Sequence, residues 1–201
     1  MFASTCIFTK LHISFINFKL RHICVFSIKK VMKSKKNLVL LGMMGSGKST
    51  IGYLISKKLN KRLVDIDKII EKNLNMTIAQ IFERKGEKFF RNEEEKVTLK
   101  YLIGTNSVIA LGGGSFLNNK IREEVTRNNV SFWLNWKTSV LLNRIKNSKK
   151  RPLAFNLNSH EITELIQKRS LIYSKAKFKI NCNKLKKTEI VNKIIKLYEK
   201  N

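Results

Sequence analysis

Cysteine and long apolar runs are scarce in this 201-residue chain. The three cysteines, Cys6, Cys24 and Cys182, are scattered and odd in number, which excludes a disulfide framework and the close spacing of a metal or redox motif. We therefore expect a reducing, cytoplasmic compartment. No apolar run has the length of a membrane span, and 43% hydrophobic residues predict one α/β domain with a substantial core.

Acidic residues are missing from the whole stretch before Asp65, although the chain carries 41 Lys and Arg against 14 Asp and Glu, a net charge of +27. The basic stretch before residue 37 has no clear periodicity, so we assign residues 1–36 to an extension and residues 37–201 to the folded domain. Three interpretations of the extension stay open: a targeting presequence, a nucleic-acid-binding arm, or, as we favour, translated sequence upstream of a true start at Met32. Elsewhere the excess of lysine, with Pro152 as the single proline, is typical of compositional drift and predicts a solvated basic surface.

Apolar strand-like runs alternate with helix-like runs from residue 37 onward. We predict strands at Leu38–Leu41, Arg62–Asp65, Val108–Leu111, Val130–Leu134 and Phe178–Asn181. We predict helices up to Leu59 and over 68–85, 87–103, 121–127, 137–145, 161–175 and 188–199, with a break near Asn73–Met76. This order predicts a five-stranded, mainly parallel sheet with helices on both faces, a three-layer α/β fold. Ligands of such sheets bind beyond the carboxyl ends of the strands, so the residues that follow each strand are the candidate site.

A phosphate-binding loop follows the first predicted strand. Residues 42–50 read GMMGSGKST and match the pattern G-x-x-x-x-G-K-[ST] between a strand and a helix. In this motif the backbone amides surround a phosphate, Lys48 reaches the β- and γ-phosphates, and the hydroxyl of Ser49 binds Mg²⁺. A glycine-rich β–α turn is the alternative. The candidate residues for a nucleoside triphosphate are Gly45, Ser46, Gly47, Lys48, Ser49 and Thr50.

Two carboxylates, Asp65 and Asp67, follow the second strand. If the strand continued, alternation would place both on the side that faces the phosphates. We expect Asp65 to support the Mg²⁺ ion. We expect Asp67 to cap the next helix and to accept a hydrogen bond from a substrate hydroxyl, with a purely structural N-cap as the alternative.

The third strand lacks the terminal aspartate with which many phosphate-loop enzymes hold magnesium. Three glycines, Gly112, Gly113 and Gly114, stand there instead. Such glycines let backbone amides approach a compact ligand, although a glycine triplet is also common in turns. The metal carboxylate must then come from elsewhere, and Asp65 is the nearest candidate in the sequence.

Arginines supply the remaining candidate residues. Arg91 and Glu94 lie three apart on one helix face, where Arg91 would bind a carboxylate while Glu94 orients it. An exposed ion pair is the alternative. Arg151 precedes Pro152 in a polar segment, as expected of a lid arginine that folds over phosphates. Two more arginines flank this segment: Arg144 before it, and Arg169 after it as a second clamp.

In order and spacing, these residues resemble the shikimate kinase family over residues 37–199. The matching motifs are GMMGSGKSTIG from Gly42, Asp65-x-Asp67, Gly86-Glu-x-x-Phe90-Arg91-x-x-Glu94, Gly112-Gly-Gly114, Lys150-Arg151-Pro152-Leu153 and Arg169-x-x-x-Tyr173. The resemblance implies a P-loop kinase fold with a mobile lid. It also implies phosphorylation of the 3-hydroxyl of shikimate by ATP and Mg²⁺, on the route to chorismate and the aromatic amino acids.

The resemblance also implies roles by position. The implied catalytic residues are Asp67, Lys48 and Arg151, and the implied metal ligands are Ser49 and Asp65. The implied shikimate-binding residues are Asp67, Arg91, Glu94, Gly112, Gly113, Gly114 and Arg169. Gly45 to Thr50, Arg144 and Arg151 would bind ATP, with Arg144 near the adenine. Shikimate is then the small-molecule partner, and we expect a monomer with neither nucleic acid nor membrane as a partner.

Some features depart from the family pattern. The helix of Arg169 lacks the proline that the family often carries. The segment from Asn183, where the family contacts the adenine, diverges from the family pattern, and Lys184 is the candidate there. Residues 1–36 have no counterpart in bacterial enzymes of this type. The nearest rivals are a gluconate kinase-like or nucleoside monophosphate kinase, against which the motifs at Asp65 and Arg91 argue. A basic nucleic-acid-binding ATPase would need basic residues interleaved with aromatic ones or a recognition helix, and the sequence shows neither.

Overall fold

The computed structural model describes residues 36–147 and 157–201. Within them, one sheet of parallel strands has the order β2-β3-β1-β4-β5. Its strands are β1 (Leu38–Leu41), β2 (Arg62–Asp65), β3 (Ser107–Ala110), β4 (Val130–Asn135) and β5 (Phe178–Asn181). The central strand β1 is buried on both faces, which explains its unbroken run of leucine and valine.

The helices of the described residues lie between successive strands, except the last, which follows β5. They are α1 (Lys48–Leu59), α2 (Ile66–Leu74), α3 (Ile78–Ile103), α4 (Asn119–Asn128), α5 (Thr138–Lys146), α6 (Ser159–Tyr173) and α7 (Lys187–Tyr198), with a 3₁₀ turn at Ser115–Leu117. No helix in these ranges combines the length and the apolar content that a bilayer crossing requires.

Side chains of β1 alternate between two hydrophobic cores. Leu38 and Leu40 pack in one core with the apolar residues of α1 and α7. Val39 and Leu41 pack in the other core with residues of α2 to α6. Helices therefore cover both faces of the sheet, and the predicted three-layer α/β architecture is confirmed.

Most predicted boundaries agree with the structure to within two residues, and the differences have local causes. The break near Asn73–Met76 is confirmed, because Asn75 adopts a left-handed conformation and ends α2. The predicted separation between the helices over 68–85 and 87–103 is also confirmed, because Gly86 divides α3 into two helical segments with the non-helical values φ 79° and ψ 167°, whereas α2 begins at Ile66, two residues earlier than predicted. Only glycine adopts this conformation readily, so the glycine in the sequence marks the point where the first segment of α3 ends and the second begins.

Candidate active site

The phosphate loop joins the carboxyl end of β1 to α1. Gly45 and Gly47 have φ values of 81° and 89°, which favour glycine, and Gly47 stands at the N-cap position of α1 without a side-chain cap. Glycine brings no side chain to the first turn of α1, as is typical of anion sites at helix N-termini. Ser49 and Thr50 are exposed in the first turn of the helix.

The amine of Lys48 lies over the same loop. Its Nζ atom donates to the carbonyl oxygens of Gly42 and Met43 at 2.9 and 3.2 Å. The positive charge also acts on Asp67, whose pKa it lowers against the effect of burial. Lys48 therefore lies between the loop and the acidic side of the site.

Trp136 and Arg144 hold the loop from the other side. The indole Nε1 of Trp136 donates to the carbonyl of Ser46 at 3.0 Å, and Nη1 of Arg144 donates to the carbonyl of Gly45 at 3.2 Å. The Arg144 guanidinium lies 4.0 Å from the centre of the Trp136 ring. The structure thus places Arg144 beside the phosphate loop. The sequence analysis did not predict Trp136. This residue directly follows β4, and the residues that follow each strand were the candidates for the site, so its position was the available signal.

Asp65 ends β2 and caps α2. Its Oδ1 accepts a hydrogen bond from the amide of Lys68 at 3.4 Å, whereas its buried Oδ2 atom has no partner in the described residues. The expectation that Asp67 caps this helix is wrong, because Asp65 is the N-cap and Asp67 is the second residue of the helix. The alternation argument for the two carboxylates fails for the same reason.

Asp67 has a raised pKa of about 6. Burial is the main cause, and the negative charges of Glu94 and Asp65 add to it, while Lys48 opposes it. Its side chain is half-buried and faces the glycine turn after β3. Carboxyl groups with such a pKa accept and release protons near neutral pH, which is typical of reactive sites.

The glycine triplet makes room for the charged side chains around it. A Cβ atom on Gly112 would overlap Oε1 of Glu94 and lie 2.8 Å from Oδ1 of Asp67. On Gly114 it would overlap Nη1 of Arg91, and on Gly113 it would lie 3.3 Å from the backbone nitrogen of Met44. Gly112 and Gly114 are therefore needed for space, because a side chain at either position would displace Glu94 or Arg91.

Arg91 and Glu94 form a mainly buried pair, so the alternative of an exposed ion pair is wrong. Arg91 Nη1 donates to Glu94 Oε2 at 2.6 Å, and the Glu94 side chain is only 4% exposed. The hydroxyl of Ser115 donates to Glu94 Oε1 at 2.6 Å. Ser115 was missed from the sequence, and its position directly after the triplet was the available signal.

Arg169 and Tyr173 reach the glycine turn from α6. Arg169 Nη1 donates to the carbonyl of Gly113 at 3.3 Å, and the hydroxyl of Tyr173 donates to the same oxygen. Burial raises the pKa of Tyr173 to about 12, so its hydroxyl keeps the proton. The Nε atom of Arg169 is buried without a partner in the described residues, so this arginine retains an unused donor.

The structure brings one group of predicted residues together at the carboxyl edge of the sheet. The group comprises Lys48, Asp65, Asp67, Arg91, Glu94, Gly112, Gly113, Gly114 and Arg169. Lys184 lies in the turn after β5, where it has φ 63°. The lid motif, with Arg151, and the extension up to residue 35 lie outside the described residues. Within the described ranges, no cluster of three or more His, Cys, Asp or Glu side chains could hold a metal ion.

Proteins of known function have sequences similar to this chain. The family model described as shikimate kinase matches residues 44–199. The shikimate kinase of Thermodesulfovibrio yellowstonii is 40% identical over 166 residues, which cover 82% of this chain and 96% of that protein. The shikimate kinase of Bacillus subtilis is 37% identical over 169 residues, which cover 80% and 88%.

Solved structures agree with the sequence comparison. Shikimate kinase from Acinetobacter baumannii in complex with shikimate superimposes with a TM-score of 0.79 at 29% identity, covering 84% of this chain and 95% of that one. The enzyme from Aquifex aeolicus gives 0.72 at 36% identity, covering 81% and 95%. With its phosphate loop, its glycine turn and the buried Arg91–Glu94 pair, the chain belongs to the shikimate kinase family.

Proposed function

We propose that this kinase transfers the γ-phosphoryl group of ATP to the 3-hydroxyl of shikimate at the edge of the sheet between the phosphate loop and the glycine turn. The observation that carries the proposal is the meeting of Arg91, Arg169 and Asp67 around Gly112–Gly114. Two cations and one carboxyl group match an acceptor that bears one carboxylate and several hydroxyls.

ATP would bind along the phosphate loop. The proposed contacts are Gly45, Ser46, Gly47, Lys48, Ser49 and Thr50, with Arg144 near the adenine. The N-terminus of α1, which follows the glycine of the loop, and the amine of Lys48 support this, because both favour the negative charge of the triphosphate. We assign Arg151 from its sequence motif alone as a further cation for the triphosphate.

Mg²⁺ would be held by Ser49 and Asp65. The buried, unpartnered Oδ2 of Asp65 suits a cation, and one carboxylate with a hydroxyl is enough when phosphates and water supply the other ligands. Bound Mg²⁺ would offset the charge of the phosphates during transfer.

The shikimate carboxylate would lie between Arg91 and Arg169. Glu94 holds Arg91 in place. The buried Nε atom of Arg169 has no partner in the described residues, which supports a role for Arg169 as a donor to the carboxylate. Asp67, Glu94 and the glycine turn at Gly112, Gly113 and Gly114 would face the hydroxyls.

Asp67 would orient the 3-hydroxyl and accept its proton. As the bond between this oxygen and the γ-phosphorus forms, the bond to the bridging oxygen of ADP breaks and the proton passes to the Asp67 carboxylate. Lys48, together with Arg151, would stabilise the charge that develops on the transferred group. A pKa of about 6 leaves Asp67 mainly ionised at neutral pH, as a proton acceptor requires.

The remaining assignments are also proposals. We propose residues 37–201 as the catalytic domain, with residues 1–36 as an extension, and a cytoplasmic enzyme. We also propose that the enzyme is a monomer.

A panel of acceptors in an ADP-release assay tests the function. Shikimate should be phosphorylated, whereas gluconate and nucleoside monophosphates should give turnover near background. Turnover with gluconate in place of shikimate would favour the rival kinase, and ATP hydrolysis stimulated by RNA would favour the nucleic-acid-binding ATPase. Mass spectrometry of the phosphorylated product should locate the phosphate on the 3-hydroxyl.

A further inference from the structure

Arg91 is paired with two carboxylates that differ in exposure. Its Nε and Nη2 atoms both donate to Oε1 of Glu87, at 3.2 and 3.1 Å, while Nη1 donates to Glu94. The Glu87 side chain is 56% exposed, against 4% for Glu94. Glu87 therefore occupies the edge of the Arg91 guanidinium that carries two parallel N–H groups. This is the edge to which a carboxylate binds in bidentate fashion.

Of these two carboxylates, Glu87 is the one that can leave. Glu94 is buried and also accepts from Ser115, so its departure would break hydrogen bonds to a buried charge. In the described part of the chain, the Glu87 side chain bonds to Arg91 alone. It follows the bend at Gly86, at the start of the second segment of α3, where the partial positive charge of the helix N-terminus also accommodates it.

We propose that Glu87 competes with the carboxylate of shikimate for the Nε and Nη2 edge of Arg91. This inference rests on the proposed role of Arg91 in binding that carboxylate. On binding, shikimate replaces Glu87 and Glu87 turns into water, so Arg91 stays paired in both arrangements. Glu87 thereby weakens the binding of shikimate by the strength of an exposed ion pair, and it leaves the binding of ligands without a carboxylate unchanged.

The test compares Glu87→Gln with Glu93→Gln by calorimetric titration with shikimate and with its methyl ester. Glu93 forms an ion pair with Lys96 on the same helix, so its variant removes the same charge away from Arg91. We expect Glu87→Gln to bind shikimate about two- to fivefold more tightly, with an unchanged affinity for the ester. Glu93→Gln should change neither affinity. Unchanged or weaker shikimate binding in Glu87→Gln, or an equal gain for both ligands, overturns the competition.

Arg91→Ala separates this inference from the proposed function. If Arg91→Ala loses shikimate affinity while Glu87→Gln gains none, the competition is rejected and the role of Arg91 stands. If Arg91→Ala binds shikimate normally, the proposed role of Arg91 fails, and the competition fails with it. In the Arg91→Ala background, Glu87→Gln should give no further gain, because the shared partner is gone.

Discussion

Gly114 lies directly against the guanidinium of Arg91: a Cβ atom on Gly114 would be 2.9 Å from Cζ of Arg91 and would overlap Nη1. The backbone of Gly114, with φ −105° and ψ −16°, is accessible to any residue. Position 114 therefore needs glycine for a steric reason, because a larger residue would displace the side chain of Arg91.

Gly114→Ala should displace Arg91 and raise the KM for shikimate by about tenfold or more, because small misplacements of a binding group are costly. The KM for ATP should change less than about twofold, since the phosphate loop is untouched. Steady-state kinetics with each substrate measures both values. Gly104→Ala is the control, because its Cβ would meet the nearest atom at an ordinary 3.4 Å. Equal effects on both KM values would contradict the steric explanation.

Asp67→Asn should increase stability while it reduces turnover. The pKa of Asp67 is about 6 in the fold against 3.8 in the unfolded chain, so folding favours the protonated carboxyl. Its stabilising effect is complete below about pH 3.8 and is lost as the pH rises through about 6. The difference between the two values limits this effect to roughly 3 kcal/mol.

Urea unfolding of Asp67→Asn should thus give a higher free energy of unfolding than the parent at pH 8, with a smaller difference at pH 5. Turnover should fall by about 10²- to 10⁴-fold, because the proton acceptor is lost, while ATP affinity is retained. In the parent enzyme, kcat/KM for shikimate should fall below about pH 6. Parent-like turnover in the variant would remove Asp67 from its catalytic role.

Ser115→Ala should raise the KM for shikimate through Glu94. The variant leaves Oε1 of buried Glu94 without its 2.6 Å hydrogen bond, which costs about 1–3 kcal/mol and loosens the support of Arg91. Ser131→Ala is the matched control. Ser131 is also buried and its hydroxyl accepts a hydrogen bond from the amide of Lys177, but it lies near the amino end of β4. Both variants should lower the melting temperature, and only Ser115→Ala should change the KM. A similar KM in the two variants would limit Ser115 to a structural role.

Asp65→Asn should raise the Mg²⁺ concentration needed for half-maximal activity by about tenfold. Asparagine is a good N-cap, so α2 should keep its start and the melting temperature should change little. The measurement is activity against free Mg²⁺ at saturating substrates. An unchanged Mg²⁺ requirement would show that Asp65 serves only as the cap.

The parts of the site that were predicted well are those encoded by contiguous residues. The phosphate loop is a short segment between β1 and α1, and its glycines and lysine are recognisable without knowledge of any neighbour. The role of helix cap was wrongly given to Asp67 in place of Asp65, because the helix was predicted from Lys68 and begins at Ile66, and helix boundaries are read from sequence only to within a few residues. Ser115 and Trp136 were missed since their partners, Glu94 and Ser46, lie 21 and 90 residues away.

The sequence by itself determined the alternation of strands and helices, the phosphate loop and the family, because hydrophobic periodicity and local motifs act over short stretches of chain. The tertiary structure alone decided the strand order and which side chains meet. Only packing shows that Gly112 and Gly114 leave room for Glu94 and Arg91, and that Gly113 accepts hydrogen bonds from α6, 56 and 60 residues away. Such contacts depend on how helices dock on the sheet, and a linear pattern does not contain that geometry.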